Sequence, residues 1–90
     1  MTYIIKPYSF LQAKKLGVKI EVSKKSNFKI DVFDKNNNYI CSIGDKRYSD
    51  FPSFLQTHGL EYANMRRKAY HSRHSKDNRE RGFYSMNILW

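Results

Sequence analysis

The sequence predicts an α+β fold: a small antiparallel three-stranded sheet packed with a C-terminal helical half. Three observations predict it. Apolar and charged residues alternate strictly at 18–22 and again at 28–32, the pattern of half-buried strands. Residues 60–76 contain no Gly or Pro, show no alternation and are rich in helix formers. Seven Tyr, six Phe and one Trp run from Tyr3 to Trp90, so both halves carry core material. Those aromatics argue against the disorder that a formal charge of +9 on 90 residues otherwise invites. A chain of this length fits a single domain, 1–90, with 1–44 mostly strands plus one short helix and 45–90 helical with an apolar tail.

The elements follow in order. Residues 3–6 form a short apolar stretch stopped by Pro7, a strand or an extended lead-in. Ser9 is placed as an N-cap and Gly17 as a C-cap of a two-turn helix in which Phe10, Ala13 and Leu16 recur at helical spacing. The strand at 18–22 is followed by a polar turn, the strand at 28–32 by the turn cluster 34–38, where Asn and Asp cap their own turns. Residues 39–43 make the third strand, ending at Gly44. Lys19, Glu21, Lys29 and Asp31 mark the expected solvated face of this meander. Asp50 reads as the N-cap of a short helix with Pro52 in its first turn and Gly59 at its end. The main helix then covers 60 to about 76. Residues 77–82 read as a charged loop and 83–90 as an apolar tail that can close as a last short helix.

Charge is nearly even between the halves, +4 over 1–45 and +5 over 46–90, yet all six arginines fall between Arg47 and Arg81. Arginine makes bidentate contacts to phosphate or carboxylate, so the helical half is where an acidic partner is expected. The densest run is 66–76. Its functional reading is a basic helix with an interleaved aromatic, set against phosphates or stacked on a base. Its structural reading is a solvated face. Helical geometry puts Arg66, Tyr70 and Arg73 on one stripe and Tyr62, Met65 and Ala69 on the expected buried one. The stripes overlap, leaving Arg66 and Arg73 open to internal pairing with Asp45, Asp50 or Asp77. Candidate nucleic-acid contacts are therefore Arg67, Lys68, His71, Arg73, His74, Lys76, Arg79 and Arg81, with Tyr70 as the stacking ring.

Other chemistries find little support. Single Cys41 excludes an internal disulfide and a Cys-cluster zinc site, and fits a reducing compartment. His71 and His74 stand i,i+3, but no Cys or acid lies at ligand spacing and arginines crowd them, so no metal is expected. The eight acids are scattered and the four glycines stand singly, which leaves neither a two-metal site nor a phosphate loop. Arg66, Tyr70, Arg73 and His74 are residue types used by enzymes that attack phosphodiesters through tyrosine. Those enzymes draw them from distant segments of a larger fold. No catalytic residue and no cofactor is assigned. Residues 1–7 lack a secretory h-region, and no apolar run approaches about 18 residues, so neither secretion nor a membrane span is expected.

Several segments together are distinctive: Lys6-Pro7-Tyr8-Ser9, Lys14-Lys15-Leu16-Gly17-Val18, Ile43-Gly44, Tyr48-Ser49-Asp50-Phe51-Pro52, Tyr62-Ala63, Arg66-Arg67-x-x-Tyr70-x-x-Arg73-His74 and the closing Ile88-Leu89-Trp90. In this combination the chain resembles a family of short basic proteins of unassigned function encoded by large nucleocytoplasmic DNA viruses, over nearly its whole length. The resemblance implies a viral setting, in the host cytoplasm or nucleus or in the virion, and no catalytic residue to carry over. Two functions follow as expectations. One is non-enzymatic binding of viral nucleic acid through phosphates with low sequence specificity. The other is a minor virion structural protein whose basic surface meets an acidic viral protein. The apolar tail is open to two readings, a segment folded back into the core or an anchor in a partner with Trp90 as its hot spot.

Overall fold

A computed structural model describes residues 3–74, 76 and 79–90. The order is α1(Pro7–Leu16), β1(Lys19–Val22), β2(Phe28–Phe33), β3(Tyr39–Asp45), α2(Phe51–His58), α3(Leu60–His74) and α4(Glu80–Ile88). The α+β expectation holds: one antiparallel sheet of order β1-β2-β3, with three of the four helices in the second half.

The sheet face that builds the core comes directly from the alternation. Ile20 pairs with Val32, Val22 with Ile30, Ile30 with Ile43 and Val32 with Cys41. Directly opposed antiparallel residues share a face, so these side chains stack into one apolar layer. Ala13, Phe51, Ala63, Ile88, Leu89 and Trp90 complete the core from the helices. Helix α4 packs on β3 and on α1, while α1 packs on β1.

The opposite face departs from expectation. Lys19 and Glu21 on edge strand β1 are exposed, but Lys29 is only 5% exposed and Asp31 7%. Alternation correctly put them on the polar face, and local partners replace water there. Asp31 accepts from Ser23 Oγ and Ser42 Oγ, both at 2.6 Å, and from the Lys24 backbone N–H at 3.2 Å. Burial alone would push its carboxyl up, yet these bonds outweigh it and hold the group below its ordinary range. Lys29 Nζ is 2.9 Å from Asp50 Oδ2, a buried ion pair that staples the central strand to the start of α2.

Helix boundaries also move. The lead-in at 3–6 joins no sheet, and Lys6 at its end is extended. Helix α1 begins at Pro7 with Lys6 as its N-cap, because a proline at the first helical position sacrifices no intrahelical bond. Ser9 is thus inside the helix, fully buried, and donates to the Ile88 carbonyl at 2.9 Å. Gln12 Nε2 donates to the Asn87 carbonyl at 3.0 Å and the Phe51 N–H to the Leu89 carbonyl at 3.0 Å. Carbonyls at the end of a helix lack partners of their own; here α1 and α2 supply them. The C-terminal segment is thereby fixed in the core, with Ile88 and Leu89 fully buried and Trp90 8% exposed. The fold-back reading of the tail holds, and Trp90 is a core residue rather than a displayed anchor. Helix α4 starts at Glu80, earlier than the tail expected from 83, and takes Gly82 into its first turn. Asp77 of the expected loop lies outside the described residues.

Gly17 closes α1 with φ +74° as expected, and Asp50 caps α2 through the Ser53 N–H at 2.9 Å. The buried stripe of α3 is partly as expected. Tyr62 and Ala69 are half-buried but Met65 is 57% exposed, and the seam also takes in Ala63, the half-buried Arg66 and Arg67, Tyr70 and His74. Ala63 lets α2 approach closely, and the long arginine stems cover apolar surface in place of Met65.

Candidate functional site

Four of the six arginines of the helical half meet in a cleft of about 450 Å³ between the α3–α4 hairpin and the β3–α2 connection. Four guanidinium-bearing residues line it: Arg66 and Arg73 from α3, Arg79 and Arg81 at the start of α4. His74 joins them, as do Tyr48, Phe28 and Phe54, and the end of the tail closes it with Leu89 and Trp90.

Two of these cations are held by rings. The Arg81 guanidinium lies 4.8 Å from the Phe28 ring centroid and that of Arg66 lies 5.4 Å from Phe54. A ring contact positions a guanidinium without using up an acid. Internal pairing of Arg66 and Arg73 with Asp45 or Asp50 does not occur. Asp45 bonds Arg47 Nη2 at 2.8 Å and Asp50 is taken by Lys29. Arg47 pulls the Asp45 carboxyl down to about 2, so it stays ionised and occupied. Among the described residues, Arg66, Arg73 and Arg81 have no carboxylate within ion-pair distance. Lys29 also lines the cleft, but its charge is already met by Asp50.

Tyr70 is not free to stack on a base. Its ring lies parallel to Trp90 at 4.4 Å (6° between planes) and 4.2 Å from His74, and its hydroxyl hydrogen-bonds Ser85 Oγ at 3.0 Å. The stacking role expected of it is replaced by a structural one: Tyr70 and Trp90 form one wall. The exposed ring is Tyr48, 67% accessible and 5.6 Å from the Arg47 guanidinium. Composition gives no reason to single it out, since it stands in a turn; its neighbours Asp50 and Pro52 carry the visible signal.

Of the residues expected to touch nucleic acid, the cleft gathers Arg73, His74, Arg79 and Arg81. Lys68, His71 and Lys76 are exposed outside it. Arg67, expected to face solvent, is half-buried: its guanidinium sits 4.2 Å from the Phe51 ring and donates to Asn64 Oδ1 at 2.8 Å. A cation over a buried ring gains more from the contact than one over an exposed ring. Arg66 is the addition, since helical geometry alone offers it an internal acid and none among the described residues pairs with it.

His58 stacks on Tyr62 at 4.5 Å, far along the chain from the His71 and His74 pair. Among the described residues no group of three or more His, Cys, Asp or Glu side chains could hold a metal ion, and no helix is long and apolar enough to cross a membrane. Cys41 is buried in β3, where burial pushes its thiol up and so disfavours the reactive thiolate. Searches of family models, curated proteins and solved structures find no match to this chain.

Proposed function

We propose that this protein binds nucleic acid without acting on it chemically, through phosphate contacts of low sequence specificity made by α3 and α4. The observation that carries the reading is the convergence of Arg66, Arg73, Arg79 and Arg81 on one cleft where Asp45, the one acid among the described lining residues, is occupied by Arg47. Guanidiniums with no carboxylate partner among the described residues, as at Arg66, Arg73 and Arg81, favour an external one, and phosphate fits their fork. The net charge of +9 adds long-range attraction for a polyanion. The likeness to short basic proteins of large DNA viruses supports viral DNA or RNA in an infected cell as the target.

Affinity for DNA and RNA measured against salt tests this. The logarithm of affinity should fall linearly with the logarithm of salt concentration, and Arg73→Ala and Arg81→Ala should each flatten the slope by about one. Arg67→Ala, whose guanidinium is spent on Phe51, should flatten it less. No binding at about 50 mM salt would defeat the reading. The virion-bridging alternative would then stand on a separate observation: Ile4, Phe10 and Leu11 at the N-terminal end are all exposed. Isolated apolar residues are ordinary on a surface, but three near one helix suit a protein partner.

A further inference from the structure

We propose that the arginine-lined cleft is a pocket for one nucleotide of a single strand, its phosphate on Arg66, Arg73 and Arg81 and its base on Tyr48. The proposal rests on the nucleic-acid reading above and goes further by naming the strand state.

The cleft's shape is the first ground. Duplex DNA presents phosphates on its outside and keeps its bases paired within, so a protein contacting only its backbone needs cations on an open surface. Here the cations border a recess of about 450 Å³, within the range of small-ligand pockets and roughly the size for one nucleotide. Only an unpaired strand can turn a base and its phosphate into such a recess together.

The second ground is the mixture of side chains. Cations and exposed aromatic rings sharing one groove are how unpaired strands are held, because every base has a π-face and stacking tolerates any sequence. Among the lining rings, Phe28 and Phe54 carry the guanidiniums of Arg81 and Arg66, and Tyr70 and Trp90 are stacked on each other. Tyr48 is the exposed one, 67% accessible, with the guanidinium of Arg47, itself paired with Asp45, 5.6 Å from its ring centroid.

Anisotropy of a labelled single-stranded oligonucleotide, as DNA and as RNA, is compared with the same strand annealed to its complement, using the full chain at about 50 mM salt. Single strand should bind about tenfold tighter than duplex. Tyr48→Ala should remove that preference by weakening the single strand about tenfold and the duplex less than about twofold; Tyr48→Phe should keep it. Arg73→Ala should weaken the single strand and flatten its salt slope. Equal binding of both forms, or equal weakening of both by Tyr48→Ala, overturns the pocket while leaving phosphate binding intact. No binding of either form overturns the nucleic-acid reading itself. Adenosine monophosphate binding as tightly as the strand would give the cleft to free nucleotides and overturn the strand assignment. Tyr48 is exposed and outside the core, so its variants should fold.

Discussion

Asp50→Asn should cost about 3 kcal/mol of folding stability, more than a surface acid would, because it removes the counter-charge of a buried lysine. Asp50 is fully buried and its carboxylate serves three donors: Lys29 Nζ at 2.9 Å, the Tyr3 hydroxyl at 2.8 Å and the Ser53 N–H at 2.9 Å. Asparagine can still cap α2 through its one oxygen. The amide nitrogen then replaces Oδ2 and can only donate, to the Tyr3 hydroxyl, so Lys29 loses both its counter-charge and its acceptor. Lys29, 5% exposed, then sits in the interior as an unpaired cation. Against a total stability of about 5–15 kcal/mol for a native protein, that loss is a large fraction. Urea unfolding checks it. Adding Lys29→Met should return most of the loss, because it removes the stranded charge rather than the bond. A cost under about 1 kcal/mol for Asp50→Asn would show that the pair is solvated in practice.

The same cluster sets both ends of the pH range. Burial pushes Asp50 up, but the Lys29 charge and the donated bonds outweigh it and its carboxyl lies below the ordinary 3.8. A depressed folded value means stability present above about pH 4 and lost as pH falls through that lower value, when protons bind the unfolded chain first. Tyr3 lies the other way: burial, then the Asp50 charge, raise its hydroxyl above the ordinary 10.0. Its contribution is complete below about pH 10 and fades as pH rises beyond, since the unfolded tyrosine ionises first. The Lys29→Met/Asp50→Asn double variant should lose part of both limbs. Asp31, held low by its serines, keeps part of the acid one.

Much of this is legible from local pattern, and the failures share a cause. Alternation yields two strands and the core face. The third strand, expected to end at Gly44, runs through it to Asp45. Gly17 and the Asp50-x-Pro52 signal yield two helix ends to the residue. Those signals are local and physical. What a polar side chain meets across the fold is neither. The alternation that places Lys29 opposite the core cannot tell water from Asp50, twenty-one residues away. Helical periodicity likewise favours Met65 over Arg67 for the buried seam, because it weighs hydropathy and not the ability of a guanidinium to lie on Phe51. The cleft is half visible. Arg73, His74, Arg79 and Arg81 are neighbours in sequence, but Phe28, Tyr48, Arg66 and Trp90 join them only once α4 folds against β3 and α3 against α2 and α4.

Gly44→Ala should cost about 3 kcal/mol and damage the cleft as well. Gly44 holds φ +79° within β3, a left-handed conformation that costs an L-residue about 1–2 kcal/mol. A Cβ there would also lie 2.6 Å from Leu89 Cδ1 and 3.0 Å from Lys29 Cδ. The lysine stem could yield by a few tenths of an ångström, but Leu89 is fully buried and its carbonyl is tied to the Phe51 N–H. Overpacking a closed core typically costs about 1–3 kcal/mol more. Gly17→Ala supplies the control: φ is +74° there too, yet no atom lies within 4 Å of the added carbon, so about 1 kcal/mol is expected from backbone strain alone. Thermal unfolding of the two variants separates the contributions. Equal losses would mean that Leu89 gives way freely and that only the backbone matters. If Leu89 is pushed instead, Trp90 moves with it, and the wall it forms with Tyr70 opens on the arginines. Gly44→Ala should then weaken nucleic-acid binding even in the fraction that stays folded, whereas Gly17→Ala, at the far end of α1, should not.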